Sequence, residues 1–292
     1  MSVSVAQTTV WVNGERQADD ATHLSARDRG FTLGDGLFET MRARDGAVFR
    51  LERHLARLDR GLALLQIPAP RELREWVSRA ATMAAAVEAA IRLTVTRGPG
   101  PAGVPPPAQS RPTVVISAGP LPSFPPPIYT GGLSAHVASG RRNEYAMTAG
   151  LKTLAYADAI AGLLEAQRAG ADEALFLDTQ GHCSEATASN LFAWTGTVLL
   201  TPPVACGALP GITREAILDL ARRDGVTVAE RAFGLDELLA ADEAFLTSSL
   251  RGIAPLVRVG SSPIDRGIPG DMTRRMTASY LALVDHETSG RP

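Results

Sequence analysis

The chain has 292 residues, of which 45% are hydrophobic, so it can bury a full core, and we expect two domains of ordinary size. Its formal net charge of −2 gives no general attraction to nucleic acid or anionic membranes. No apolar stretch approaches the roughly 20 residues of a membrane span, and the N-terminus lacks the basic region of a signal peptide. These features favour a cytoplasmic protein that acts on a small polar metabolite.

The two cysteines, Cys183 and Cys206, form no CxxC pair and have no histidine cluster nearby in the sequence. This pattern argues against a disulfide framework and against a zinc site. We expect both cysteines to be small buried hydrophobic residues and predict no metal site.

The first part of the chain predicts a mixture of strands and helices. Alternating apolar residues before Asn13-Gly14 predict a strand and a hairpin turn, because Asn-Gly accepts positive φ angles; they are Val3, Val5, Val10, Trp11 and Val12. The following pattern predicts a strand over 37–44 turning at Asp45-Gly46, helices over 51–66 and 71–89, and a strand over 92–97.

Eleven prolines fall between Pro99 and Pro127, too many for regular structure. We predict a loop here, interrupted by one strand over 113–118 and followed by a linker near 120–129.

The second part continues the α+β pattern without an internal repeat. It predicts a strand over 133–139 and a helix over 153–169 that ends at Gly170. Strands follow in EALFLDT, HCSEATASNLFAW and TVLLTP, separated by turns at Gln180-Gly181 and Thr195-Gly196. The pattern then predicts a helix opened by Pro210-Gly211, strands at 226–231 and 243–247, and a final helix from about 270.

Lys152 is the first candidate for chemistry, because TAGLKTLAY places it between apolar neighbours in a chain with very few lysines. Apolar surroundings lower the pKa of a lysine and free its amine to condense with a carbonyl. By composition alone, a surface lysine at a helix start is the simpler interpretation.

Glu185 lies in SEATASNLF, among small residues that precede an apolar strand. A carboxylate there is either exposed or paired, since an unpaired buried charge is very costly. One useful partner is a protonated pyridine nitrogen, and the alternative is a turn or edge residue.

Two segments could bind an anion. In Gly207–Arg214 (GALPGITR) a glycine-containing turn leads into a helix, whose first N–H groups suit a phosphate, although many such helices bind nothing. Thr247-Ser248-Ser249 offers three hydroxyls after an apolar strand, or simply a polar strand end. Arg57, on the charged side of the first long helix, is by default solvated.

Together these segments resemble the class IV, or fold type IV, pyridoxal-5′-phosphate (PLP) dependent aminotransferase family over nearly the whole chain. The blocks that carry the resemblance, in their order, are RDRGFTLGDGLFETMR, HLARL, LKTL, DEALFLDTQGHCSEATASNLF, LTPP…GALPGITR and DEAFLTSSL. The resemblance implies an α+β fold with a smaller N-terminal α/β domain (1–121), a linker (122–129) and a larger cofactor-binding domain with a β-barrel-like core (130–292).

The resemblance also implies residue roles. Lys152 would hold PLP as a Schiff base and move the proton in the reaction, Glu185 would bind the pyridine nitrogen, and Glu39 would lie near the lysine. The phosphate would be held by Arg57, the backbone amides of Ile212 and Thr213, and the hydroxyls of Ser248 and Ser249, with Leu209 against the ring. Family members are ping-pong enzymes and at least homodimers, and the loop around 99–110 would be a lid or interface element.

The residues do not select one substrate group. The family includes branched-chain L-amino-acid and D-amino-acid aminotransferases, aminodeoxychorismate lyases and (R)-amine transaminases. Branched-chain enzymes typically have a tyrosine in place of Leu33 and a glycine-rich segment in place of Thr153-Leu154. The Arg-x-His pair of Bacillus-type D-amino-acid enzymes is replaced by Ala102 and Val104.

A different group must therefore bind the substrate carboxylate. Arg42, Arg92 and Arg251 are candidates, because arginine offers two parallel hydrogen bonds, or they form structural ion pairs; Phe38 is placed in the same pocket. We expect a transaminase for D-amino acids and some (R)-amines, with α-ketoglutarate or pyruvate as acceptor. The alternatives are a lyase that releases 4-aminobenzoate and pyruvate, and a branched-chain L-amino-acid aminotransferase. A non-enzymatic member is not expected, since all the cofactor residues are present.

Overall fold

The computed structural model describes residues 8–18, 24–84 and 87–289. The predicted strand residues Val3 and Val5 lie outside these ranges. None of the helices in them combines the length and hydrophobicity needed to cross a bilayer.

The described helices are α1 Arg29–Leu33, α2 Leu51–Leu65, α3 Leu73–Met83, α4 Pro127–Thr130, α5 Ala157–Arg168, α6 Ile212–Arg223, α7 Leu235–Leu239 and α8 Asp271–Thr288, with a 3-10 turn at Val204–Cys206. The strands are β1 Thr9–Val12, β2 Glu15–Arg16, β3 Gly36–Arg44, β4 Ala47–Val48, β5 Glu88–Thr96, β6 Thr113–Pro120, β7 Leu133–Arg142, β8 Glu173–Asp178, β9 Cys183–Ala186, β10 Asn190–Trp194, β11 Val198–Thr201, β12 Thr227–Glu230, β13 Glu243–Ser248, β14 Gly252–Val259 and β15 Ser262–Pro263.

The described residues fall into two compact units. The first lies within Met1–Pro122, Leu151–Ala155 and Val284–Pro292, and the second within Ser123–Gly150 and Tyr156–Leu283. The short segment that carries Lys152 therefore belongs with the first unit. The domain limits drawn from the sequence stay a prediction.

The first unit is built on an antiparallel sheet in the order β2-β1-β6-β5-β3-β4. Side chains alternate between the two faces of a strand. In β3, Met41 points into a core that includes Leu58 of α2 and Val77 of α3. Phe38 and Arg42, at positions of the opposite parity, lie on the other face of the sheet.

The second unit contains a closed barrel. Its strands follow the order β10-β13-β14-β7-β8-β9, and a further pairing of β9 with β10 completes the ring. Apolar residues such as Leu175, Leu191, Leu246 and Leu256 form the core of this unit. The predicted α+β fold with a barrel-like core is confirmed.

The hairpin turns were predicted correctly. Asn13 and Gly14 have φ angles of 50° and 84°, and Asp45 has φ 49° before Gly46 at 81°. These left-handed conformations favour glycine, asparagine and aspartate, which is why the dipeptides identify the turns.

The helix predicted over 71–89 is too long at its C-terminal end. Helix α3 ends at Met83 and strand β5 begins at Glu88. The Ala-rich segment has helix propensity, but β5 pairs with β3 on one side and β6 on the other, and Ala89 fills the core. Tertiary pairing thus overrides local preference.

The helix predicted over 153–169 begins only at Ala157. The preceding residues lie beside strand β3 instead: Leu37 forms a bridge with Thr153, and the Phe38 N–H donates to the Lys152 carbonyl at 2.9 Å. Backbone groups engaged in this way are not available for a helix.

Two further expectations need correction. The linker predicted near 120–129 contains helix α4 at its end, and strand β14 was not predicted at all. Pro255 in the middle of β14 argues against a central strand. The pairing of β14 with β7 begins only at Leu256, one residue after this proline.

Candidate active site

Lys152 is the only lysine in the sequence, and its backbone is held against strand β3. Besides the bond from Phe38 to its carbonyl, the Leu154 N–H donates to the Gly36 carbonyl at 3.1 Å. The segment therefore behaves as a short extension of the sheet, which fixes where the lysine side chain starts.

Two cations contact one aromatic ring in this region. The Lys152 Nζ lies 4.5 Å from the centroid of the Phe38 ring, and the Arg92 Cζ lies 3.8 Å from the same centroid. Both are cation–π distances. Three of the residues predicted from the sequence, Lys152, Phe38 and Arg92, are thus brought together.

The other two candidate arginines have carboxylate partners. Arg42 Nε donates to Glu88 at 2.7 Å, and Arg251 Nη2 donates to Glu173 at 3.4 Å. The ion-pair interpretation therefore describes these contacts of Arg42 and Arg251.

A buried ion cluster lies on the core side of strand β3. Glu39 is fully buried and receives Arg57 Nε at 2.8 Å, Arg57 Nη2 at 2.6 Å and His54 Nδ1 at 2.7 Å. His54 and Arg57 are three residues apart on α2 and so share one helix face. The default expectation that Arg57 is solvated is wrong: it is 5% exposed.

This cluster has a defined charge state. Burial raises the pKa of Glu39, but the hydrogen bonds from Arg57 and His54 outweigh it and lower the pKa to about 2. Burial lowers the pKa of His54, the bond to Glu39 opposes this, and the charges of Arg57 and Lys152 lower it further. Glu39 is therefore ionised at neutral pH, and burial favours the neutral form of His54.

In the second unit, four residues form a row across neighbouring strands of the barrel. Phe176 pairs with Glu185, Glu185 with Asn190, and Asn190 with Thr247. Their neighbours in sequence, such as Leu175 and Leu191, belong to the core of the unit, so the row lies on the opposite face of the strands.

Glu185 holds two partners within this unit. Its Oε2 accepts the Leu209 N–H at 2.9 Å, and its Oε1 lies 3.2 Å from Arg142 Nε. The Arg142 Cζ is 4.3 Å from the centroid of the Phe176 ring. The carboxylate is thus paired, as expected for a largely buried charge, and its side chain keeps 13% exposure.

The loop before α6 is fixed by the same row. Asn190 Nδ2 donates to the Leu209 carbonyl at 2.8 Å, so both backbone groups of Leu209 are held by paired side chains. At Gly211 a Cβ would lie 1.9 Å from Asn190 Oδ1, which excludes any larger residue. Helix α6 then begins with Ile212 and Thr213, both buried, and no side chain caps it.

Hydroxyl groups follow on strand β13. Thr247 is 2% exposed, and its Oγ1 has no hydrogen-bond partner within the described part of the chain. Ser248 ends the strand and Ser249 lies in the next turn. A buried hydroxyl without a partner and an uncapped helix start are groups that a phosphate satisfies, so these residues fit PLP.

Sequence reasoning gave no role to three residues that the structure places beside the candidates: His54, Arg142 and Asn190. Asn190 was visible as a polar residue before an apolar strand. Nothing in the sequence marks Arg142 or the burial of His54, since both depend on tertiary contacts.

The comparisons with known proteins agree on one family. The model of the amino-transferase class IV family matches residues 36–259. A putative branched-chain-amino-acid aminotransferase from Methanocaldococcus jannaschii is 33% identical over 93% of this chain and 94% of its own length.

Solved structures agree as well. A 4-amino-4-deoxychorismate lyase from Pseudomonas aeruginosa has a TM-score of 0.83 and 33% identity over 94% of this chain and 98% of its own. A branched-chain amino acid aminotransferase from Escherichia coli has a TM-score of 0.89 and 30% identity over 98% of this chain and 97% of its own. The chain described here belongs to the class IV aminotransferases, which are PLP-dependent enzymes acting on amino acids and keto acids.

Proposed function

We propose that Lys152 holds PLP in this enzyme and that the enzyme transfers an amino group from an amino acid to an α-keto acid by a ping-pong mechanism. PLP supplies the electron sink that stabilises a carbanion at the substrate Cα. One observation carries the proposal. Lys152, the only lysine of the chain, contacts the Phe38 ring, and Arg92 contacts the same ring.

Each residue has a limited task in this proposal. The Lys152 Nζ takes the proton from the substrate Cα, acting as general base. Glu185 would pair with the pyridine nitrogen. Leu209, whose backbone Glu185 and Asn190 hold, would pack against the ring.

The phosphate is proposed to lie at the start of α6. The N–H groups of Ile212 and Thr213 and the hydroxyls of Ser248 and Ser249 would donate to it, and the family resemblance assigns Arg57 as its cation. Thr247 joins this set, because its buried Oγ1 otherwise lacks a hydrogen-bond partner in the described chain.

Arg92 is proposed to bind the substrate carboxylate. Its Cζ lies 3.8 Å from the centroid of the Phe38 ring, which the Lys152 Nζ also contacts. An arginine beside the reactive amine can orient the carboxylate by two parallel hydrogen bonds.

Two donor classes follow from different observations. Leu33 and Thr153-Leu154, which depart from the branched-chain pattern, support a D-amino acid or (R)-amine donor. The M. jannaschii relative, named a putative branched-chain-amino-acid aminotransferase, supports a branched-chain L-amino acid. The structural likeness to a 4-amino-4-deoxychorismate lyase makes release of 4-aminobenzoate and pyruvate a third outcome.

A homodimer is part of the proposal. Phe31 and Leu33 of α1 and Val104 of the proline-rich loop are large apolar side chains with exposures of 80%, 48% and 81%. Arg29 ties the loop to α1, because its Nη2 donates to the Val104 carbonyl at 2.9 Å. Light scattering on the purified protein should give twice the chain mass, and Val104→Asp with Phe31→Asp should lower it.

The test of the donor is a set of single-turnover reactions followed by the absorbance of the bound cofactor. D-alanine, D-glutamate, L-leucine and (R)-phenylethylamine are compared, and 4-aminobenzoate release is assayed separately. Conversion by D-alanine or D-glutamate supports the D-amino-acid proposal, while conversion by L-leucine alone rejects it. If no amine converts the cofactor and 4-aminobenzoate is released, the transaminase proposal itself fails.

A further inference from the structure

A second group of chemically reactive side chains lies in the barrel unit. Asp178, His182 and Cys206 each offer one potential ligand atom, and these three atoms all lie within 4.8 Å of one another. Asp178 ends strand β8, His182 follows in the β8–β9 hairpin, and Cys206 ends the 3-10 turn. None of the three has a role in the proposed transfer reaction.

The ligand types define which ion fits. A thiolate, an imidazole and a carboxylate form a mixed S, N and O set, which suits zinc, whereas magnesium and calcium prefer oxygen ligands alone. Zinc bonds of about 2.0–2.3 Å in a tetrahedron separate ligand atoms by roughly 3.3–3.8 Å. The His182 Nδ1 and Asp178 Oδ2 are already 3.1 Å apart.

The carboxylate is held in place by backbone groups. Asp178 Oδ1 accepts the N–H of Gln180 at 2.9 Å and the N–H of His182 at 2.8 Å, which leaves Oδ2 directed at the histidine. Such fixed outer bonds orient a metal-binding carboxylate. Asp178 and Cys206 are buried, while the His182 side chain is 36% exposed, so an ion can enter from the histidine side.

The two negative ligands match the charge of the ion. Zinc displaces the thiol proton of Cys206 when it binds, and the resulting thiolate together with the Asp178 carboxylate balances the charge of one Zn²⁺. Three protein ligands leave the fourth position of a tetrahedral zinc to water, which agrees with the exposure of His182.

We propose that Asp178, His182 and Cys206 bind one zinc ion that links the β8–β9 hairpin to the turn preceding α6. Cys206 is followed by Gly207, with φ 78°, and then by Leu209, which Glu185 and Asn190 hold. The ion therefore anchors the start of the loop that leads to the proposed phosphate site.

The chain supplies a matched control for this proposal. His136 lies 3.1 Å from Glu165, and the two side chains are 31% and 33% exposed. This histidine–carboxylate pair has the same distance as His182 and Asp178 and a similar histidine exposure, but no cysteine joins it within the described chain.

The experiment measures zinc retained by the holoenzyme. The yellow protein is dialysed against a chelator, then equilibrated with zinc chloride, and bound metal is counted by atomic emission. We expect one zinc per chain, not displaced by excess magnesium or calcium, and an X-ray absorption spectrum with one sulfur ligand. His182→Gln and Cys206→Ser should weaken binding at least tenfold, whereas His136→Gln should leave it unchanged.

Several outcomes would reject the site. These are no retained zinc, retention that His182→Gln does not weaken, or a zinc spectrum without sulfur. If Cys206→Ser fails to fold, His182→Gln decides alone, because His182 lies in a partly exposed turn. The metal count does not depend on any transaminase assay, so a negative result would reject the zinc site without rejecting the proposed function.

Discussion

Each unit of the molecule contains a carboxylate that is paired with arginine, but the two are surrounded differently. Glu39 is fully buried and is bonded by Arg57 and His54. Glu185 accepts the Leu209 N–H, lies 3.2 Å from Arg142 Nε and keeps 13% of its side-chain surface. An enclosed carboxylate suits a structural task, whereas one with residual exposure can still receive a ligand.

The largest effect is expected at Lys152. Lys152→Ala should lower the rate of amino transfer by about 10³-fold or more, because the base at the substrate Cα is lost. Since no other lysine exists in the chain, borohydride treatment of the wild-type holoenzyme should attach the cofactor at this position only. Mass spectrometry of peptides checks the site, and a wild-type adduct elsewhere would contradict the assignment.

Glu39→Gln should be the most damaging change to stability. It breaks a buried pair and leaves Arg57 without its charged partner, which costs about 3–5 kcal/mol. Urea unfolding measures the loss. Glu165→Gln is the matched control, because Glu165 is paired with His136 at the surface and such pairs contribute about 0–1 kcal/mol.

The same variant has a defined pH dependence. The Glu39 pKa is lowered from 4.5 to about 2 in the folded protein, so its contribution to stability is complete above about pH 4.5 and is lost as pH falls towards 2. The difference between wild type and Glu39→Gln in the free energy of unfolding should therefore shrink over this range. A difference that stays constant down to about pH 2.5 would show that Glu39 is not held as a carboxylate.

Glu185→Gln should mainly affect activity. Glutamine can still accept the Leu209 N–H but carries no charge, so we expect a loss of about 10²-fold in amino transfer with little change in stability. Glu230→Gln, which removes a carboxylate that pairs with Arg214 in the same unit, serves as the control. Equal activity of Glu185→Gln and Glu230→Gln would show that amino transfer does not need the charge of Glu185.

The smallest expected effect is at Arg92. Arg92→Met should lower kcat/KM for the keto acid by about 10- to 100-fold, as a hydrogen bond to a charged group contributes about 1.5–3 kcal/mol. Arg42→Met and Arg251→Met are controls, since both arginines already donate to carboxylates. A larger loss in either control would move the carboxylate site to that residue.

The sequence indicated the turns and the long helix α2 because their signals are local. Asn13-Gly14 and Asp45-Gly46 define hairpins through their own backbone preferences, and α2 through its repeating leucines. The predicted second helix extended too far because residues 84–90 are rich in alanine, which favours helices where packing is weak. Here the pairing of β5 in the sheet outweighs that preference.

The candidate site was predictable by residue but not by partner. Lys152, Glu185 and Leu209 stood in recognisable blocks, whereas the pairing of Phe176, Glu185, Asn190 and Thr247 depends on strand register. No sequence spacing gives that register, because the four residues come from four strands. The group of Asp178, His182 and Cys206 escaped notice for the same reason, as the cysteine comes from a separate turn.

The barrel ring is completed by the match of Asn190 with Glu185, and this has a consequence for folding. A slip of one residue at this joint would turn Glu185 inward, among Leu175 and Leu191, where an unpartnered charge is strongly disfavoured. In the observed alignment the ring is closed and the carboxylate accepts the Leu209 N–H. The strand match that closes the barrel therefore also sets the face on which Glu185 lies.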